Sequence, residues 1–173
     1  DPSRYGLDFV LVAVFLAIFI PVLVSAVPQV VGADHSYVVV SGSMEPAIPT
    51  GSIVFVKDVP AERIDEGDVI TFADSQGQPT TTHRVIEKHQ AEDSIRFRTK
   101  GDNNEDPDPE PVYRSEIVGV VTVSVPFLGY LTAFASTKAG WILFVVVPVT
   151  LLITSELWEL YESLEVVDGE TDE

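Results

Sequence analysis

Ser43 sits in the run Ser41-Gly42-Ser43-Met44-Glu45-Pro46, between two apolar runs, Tyr37 to Val40 and Ile53 to Val56. A serine set between Gly42 and a turn rich in Pro46, Pro49 and Gly51 can project its hydroxyl from a strand end. A nucleophile needs that exposure, and it needs a neighbouring base to take its proton. The same composition also describes a plain β-turn between two strands. Three histidines are available as bases. His35 stands beside Asp34 and suits a solvated linker. His89 lies in Lys88-His89-Gln90-Ala91-Glu92 and reads as a turn residue. His83 lies in Thr80-Thr81-Thr82-His83-Arg84-Val85-Ile86, which reads as a strand, so its ring is held on one face. A strand histidine with a purely structural role carries the same local signature. Acids to orient an imidazole are plentiful in the stretch from Asp102 to Pro111, which holds three prolines and five carboxylates and must be a loop. Lys57, Lys88 and Lys100 are the rival bases of a Ser–Lys arrangement.

The elements that must position these groups are strands. Ser36–Val40, Ile53–Lys57, Val69–Phe72, Thr80–Glu87, Ser94–Thr99 and Ile117–Val125 are short, rich in Val, Ile, Thr and Phe, and bounded by Gly, Pro, Asp and Asn. In Ile95-Arg96-Phe97-Arg98-Thr99 the basic residues alternate with the others, the period of a half-buried strand. No long amphipathic helical pattern and no internal repeat occurs in this segment.

Two apolar runs frame the strands. Phe9 to Val27 is 19 residues without a charge. At about 1.5 Å per residue it is long enough for a hydrocarbon core of roughly 30 Å. Arg4 ahead of it and Val24-Ser25-Ala26 at its end also resemble a cleavable secretory signal, but the run exceeds an ordinary signal core, which favours a retained anchor. Ala139 to Ser155 is a second uncharged run, of 17 residues, framed by Lys138, Trp141, Glu156 and Trp158, as at a membrane interface. A buried core helix is the competing reading. Phe127 to Ala135 is apolar but short, an interfacial segment rather than a crossing. The expected organisation is a cytoplasmic stub at 1–8, a span at 9–27, a catalytic domain at 34–125, an interfacial segment at 127–137, a span at 139–155 and an acidic tail at 156–173. Arg4 favours a cytoplasmic N-terminus and an extracytoplasmic catalytic domain.

Twenty-seven acidic residues against ten basic ones give a net charge of −17, spread over the strands and the tail. Such a surface repels phosphates and argues against nucleic acid as a partner. It fits the carboxylate-solvated surface of a halophile, and equally an acidic tail joined to acidic loops. With no cysteine, disulfides, thiolate nucleophiles and Cys-based zinc sites are excluded.

Three islands in order, Ser41–Pro46, Thr82–Ile86 and Thr99-Lys100-Gly101-Asp102-Asn103-Asn104, resemble the type I signal peptidases, and within them the archaeal and endoplasmic-reticulum branch. The resemblance covers the chain from the first apolar run to about Val125. It implies a mainly β, small barrel-like catalytic domain of short antiparallel strands, with an N-terminal and a C-terminal transmembrane helix. It implies Ser43 as nucleophile and His83 as general base, where the bacterial branch has lysine. It makes Lys100, in the same box as Asp102, the strongest rival base. The two acids it implies are Asp102 and, six residues on, Asp108. Asp108 is then the orienting acid, Asp102 a supporting residue, and Asp106 an alternative third acid. Ser41 and the Ser43 backbone N–H are the implied oxyanion donors. The implied activity is removal of signal peptides from exported preproteins after small residues, without cofactor or metal. The implied partners are preproteins, membrane lipid and the export channel. The alternatives are a non-catalytic membrane-anchored β-domain, a sensor or assembly factor, and a Ser–Lys self-cleaving peptidase.

Overall fold

The computed structural model describes residues 2–73, 79–91 and 94–169. They divide into two compact units. One comprises the described residues within 22–131, the other those within 1–21 and 132–173.

Among its described residues the first unit is built on seven strands: β1 His35–Val38, β2 Ile53–Lys57, β3 Val69–Ala73, β4 Pro79–Ala91, β5 Ser94–Lys100, β6 Val112–Tyr113 and β7 Ile117–Val125. All pair antiparallel in one sheet of order β1-β2-β7-β3-β4-β5-β6. This corrects the barrel-like expectation. Closure would require the first and last strands to pair with a regular stagger. Here the sheet ends on a four-residue β1 and a two-residue β6, and each pairs with a single neighbour.

Residues Ile53 to Val56 of β2 are buried on both faces. Ile53 and Phe55 join Ala33 and Leu128 in one apolar cluster, whereas Val54 and Val56 join Met44 and Ile48 in another. A third cluster gathers Ile64, Ile70, Val85, Phe97 and Val112 under the far half of the sheet. Period-2 alternation is what splits β2 between two clusters. The second cluster matters most for chemistry: Met44, 1 % exposed, is the residue after Ser43, so its burial pins the serine's loop to the sheet.

Two histidine expectations are overturned. His89 lies within β4, opposite Arg96, and His35 opens β1, opposite Val56. Polar residues continue a strand when cross-strand partners are supplied. Glu87 and His89 meet Arg98 and Arg96 in register, and His35 stacks on Tyr37.

Helix α1 spans Pro2–Ala26, with Pro21 inside it. Helix α2 spans Leu128–Ala135, and its Leu128 belongs to the sheet's core. In the second unit, α3 Lys138–Trp141 is capped by the Thr137 hydroxyl, which accepts from the Gly140 N–H. A π-helical turn at Ile142–Val146 leads into α4 Val147–Gly169. Pro148 follows that turn and lacks the N–H of a regular i→i−4 bond, a recognised setting for a local change of helical period. Lys138–Trp158, with a mean hydropathy of 2.0, is long and apolar enough to cross a membrane. Among the described residues the N-terminal helix offers a shorter apolar stretch, Phe15–Ala26. The acidic tail continues α4 to Gly169, and its last four residues lie outside the described residues.

Candidate active site

The loop before β2 presents Ser43. Burial of Met44 and Ile48 anchors it from below, and the Ile48 N–H donates to the Met44 carbonyl at 2.8 Å. Glu45 holds the far side, accepting from the Thr50 N–H at 3.2 Å and the Thr50 hydroxyl at 3.0 Å. From above, the turn after β5 grips the nucleophile's own backbone. The Asn103 N–H donates to the Ser43 carbonyl at 2.8 Å, and the Asn103 amide to the Gly42 carbonyl at 3.2 Å. Gly101 is required for this approach: a Cβ there would lie 2.6 Å from the Ser43 carbonyl oxygen.

His83 stands on β4, opposite Ile70 of β3, with 7 % of its surface exposed. Its ring lies edge-on to Phe72, centroids 6.3 Å apart. Strand burial restricts the ring to one orientation, in which its two nitrogens face different partners. Nε2 is 3.1 Å from the Ser43 hydroxyl oxygen. Nδ1 is 2.6 Å from Asp108 Oδ2. An ionised carboxylate only accepts, so this geometry suits the neutral imidazole whose Nδ1–H donates to Asp108 and whose Nε2 accepts from Ser43.

The structure therefore brings together Ser43, His83 and Asp108, residues separated by 40 and 25 positions. Ser41 is adjacent, its hydroxyl 3.3 Å from that of Ser43. Asp102 instead pairs with Arg84, whose Nε and Nη2 donate to its two oxygens at 2.8 and 2.6 Å. These hydrogen bonds hold Arg84 above its ordinary pKa, against burial that pulls it down; the carboxylate's charge acts in the same upward sense. Asp106 is exposed on the loop. Of the rival bases, Lys88 donates to the Glu62 carbonyl at 2.8 Å and lies 3.5 Å from Asp65. Lys57 is exposed at the end of β2.

Sequence reasoning left three contributors without a role. Arg84 and Asn103 carry no local signal for their parts. Thr99 does: it occupies an inward position of the β5 alternation, where an aliphatic residue is expected, and its hydroxyl donates to Asp108 Oδ2 at 2.6 Å.

Ser43 and His83 open into a cleft of about 570 Å³. Val38 and Val40 form one wall, Thr71, Thr81 and Thr82 another. Val38 is 50 % exposed and Val40 84 %, so this wall is an apolar strand edge facing solvent. A hydroxyl–imidazole–carboxylate line beside such a cleft, with its imidazole buried, suits acyl transfer: the serine attacks, the imidazole accepts its proton, and the carboxylate stabilises the resulting imidazolium.

An antiparallel β domain with a serine, a histidine and an aspartate in line beside an apolar cleft defines a peptidase class of site. The chain belongs to the Peptidase S24-like family, which matches residues 24–122. It is similar to Signal peptidase I W of Bacillus subtilis (strain 168), 43% identical over 75 residues, 43% of this chain and 39% of the relative. It is also similar to the signal peptidase complex catalytic subunit SEC11 of Verticillium alfalfae, 36% identical over 107 residues, 57% of this chain and 62% of the relative. The signal peptidase complex catalytic subunit SEC11C of Homo sapiens is 34% identical over 104 residues, 55% of this chain and 54% of the relative. In each case the matching segment covers less than two thirds of the relative's length.

Proposed function

We propose that this chain is a membrane-bound serine endopeptidase that removes signal peptides from exported preproteins. The observation that carries the reading is the unbroken line from Asp108 through His83 to Ser43, with hydrogen-bond distances of 2.6 and 3.1 Å. The similarity to proteins named signal peptidase I and signal peptidase complex catalytic subunit supplies the substrate class. Histidine in the base position favours the archaeal and endoplasmic-reticulum branch, and the −17 charge fits a halophilic archaeal source.

In this mechanism Ser43 Oγ bonds to the scissile carbonyl carbon while its proton passes to His83 Nε2. The oxyanion is met by the Ser43 N–H and the Ser41 hydroxyl. Collapse breaks the C–N bond, and the imidazolium gives its proton to the leaving amine. Water, deprotonated by His83, then hydrolyses the acyl-enzyme. Asp108 keeps the imidazole in the tautomer that this sequence requires. The exposed edge formed by Val38 to Val40 suits an extended substrate bound by strand addition, with small residues ahead of the cut. Spans at 9–27 and 139–155 would hold the domain at 34–125 on the extracytoplasmic face, near the membrane-embedded substrate and the export channel.

The test is cleavage of a model preprotein in detergent by wild type and by Ser43→Ala. Wild type is expected to cut at the signal-peptide junction and the alanine variant to be inert though folded. Turnover by Ser43→Ala at a comparable rate would overturn the assignment. A folded wild type that cuts no preprotein would point to the non-catalytic β-domain.

A further inference from the structure

We propose that Thr99 is a positioning residue for the reaction: its hydroxyl sets the plane and charge of the Asp108 carboxylate, and through it the orientation of His83. The inference rests on the peptidase reading above and deepens it by naming a fourth side chain in the line.

Thr99 is wholly buried, at 0 % exposure. On β5 the residues Arg96 and Arg98 face solvent, while Phe97 and Thr99 face inward and Ile95 packs against the same core. Valine would fill this site as well by volume, yet a buried hydroxyl must be hydrogen-bonded, and threonine and valine are not equivalent for that reason. The partner is Asp108 Oδ2, at 2.6 Å, the same oxygen that accepts from His83 Nδ1 at 2.6 Å. Thr99 also holds Asp108 through the backbone, its carbonyl accepting the Asp108 N–H at 2.8 Å.

These two bonds do different work. Asp108 lies in a proline-flanked loop with no regular structure, so its position depends on such tethers. The backbone bond places the residue and survives any change of the Thr99 side chain. The hydroxyl bond removes the carboxylate's freedom to turn about its last torsion, and it shares the charge on Oδ2 with the imidazole. Without it, more of the charge on Oδ2 would fall to His83, and the imidazolium would be more favoured. Among the described residues His89, Arg96 and Arg98 line a shallow hollow with Asp108, and these remain in place.

The experiment compares wild type, Thr99→Val, Thr99→Ser and Ser43→Ala as full chains in detergent. Readouts are kcat and KM on a model preprotein across pH, and the proton resonance of His83 Nδ1–H. For Thr99→Val the expected result is a kcat lower by about tenfold to a hundredfold, the scale of one lost hydrogen bond to a charged group. KM should hold, because Thr99 does not line the cleft. The acid limb of the rate profile should move to higher pH and the Nδ1 resonance should shift. Thr99→Ser should restore all of these. Unchanged rate and resonance in Thr99→Val would overturn the proposal. So would equal losses in the valine and serine variants with an unmoved acid limb, which would make Thr99 a packing residue. If wild type and Ser43→Ala are equally inert, the peptidase reading fails separately. The resonance then still decides: a shift in Thr99→Val reversed by Thr99→Ser supports the tether, and no shift refutes it.

Discussion

Arg84 grips Asp102 with two parallel hydrogen bonds, from Nε at 2.8 Å and Nη2 at 2.6 Å, and its Nη1 donates to the Gly67 carbonyl at 2.8 Å. The next residue along β4 from the histidine thus ties down the turn that carries Asn103, and Asn103 in turn holds the Ser43 carbonyl. Arg84→Gln and Asp102→Asn should each slow cleavage, and the double variant should be little slower than the worse single. The coupling energy of such a contacting pair is about 0.5–3 kcal/mol. Arg84→Lys should not restore the rate, because an ammonium cannot reproduce the two-pronged geometry. A double-mutant cycle on kcat/KM reads this directly, and strictly additive losses would show that the pair does not act as one unit.

Asp108→Asn should reduce the rate far more than Asp106→Asn. The carboxylate against His83 Nδ1 belongs to Asp108, whereas Asp106 is exposed on the loop. An asparagine in this role leaves the imidazole in the wrong tautomer, a change that lowers turnover about ten-thousand-fold in a well-studied triad. Initial rates on one preprotein, with folding followed by thermal melting, separate the two. Equal mild losses would mean that neither is the dedicated orienting acid.

His83→Lys should be inactive. A lysine base must lose its proton near neutral pH, which requires desolvation tuned to an ammonium. This site instead offers a carboxylate 2.6 Å from the ring position, which would stabilise the charged form. Lys100→Ala provides the opposing arm. Retained activity in His83→Ala with loss in Lys100→Ala would reassign the base to Lys100.

Gly101→Ala should impair both catalysis and stability. The added methyl would meet the Ser43 carbonyl oxygen at 2.6 Å and the Asn104 amide nitrogen at 2.8 Å, closer than any ordinary contact. The turn must then retreat and release the backbone of the nucleophile. Overpacking of this kind costs about 1–3 kcal/mol, visible as a lowered melting temperature, and kcat should fall with it. A variant with wild-type melting and wild-type kcat would show that the turn is not needed to hold Ser43.

The strands were legible because their information is local. In β5 the alternation predicts which residues face inward, and Phe97 and Thr99 are buried while Arg96 and Arg98 are exposed. His35 and His89 were misread for the same reason: both are polar residues whose strand state depends on partners in other strands, Val56 and Arg96. The two-residue β6 is too short to show any period, and only its pairing with Arg96 and Phe97 makes it a strand.

By itself the sequence determined the reactive side chains on offer: a serine in a Gly- and Pro-bounded turn, a histidine in a strand, and a loop holding five acids. Residue type and spacing carry that much, because nucleophilicity, basicity and strand period are properties of the residues and their neighbours. The family resemblance implies Asp108 as the orienting acid and leaves Asp106 as the alternative, whereas the tertiary structure is what puts Asp108 Oδ2 2.6 Å from His83 Nδ1. A loop interrupted by three prolines has no repeat to predict where a carboxylate will point, and the answer depends on Thr99, a residue of the preceding strand. It also decided that the sheet stays open, since closure depends on whether β1 and β6, at opposite ends of the strand order, find each other. Pairing across 40 residues, as between Ser43 and His83, is set by the sum of the packing around it, in which buried Met44 holds one partner and β3 the other.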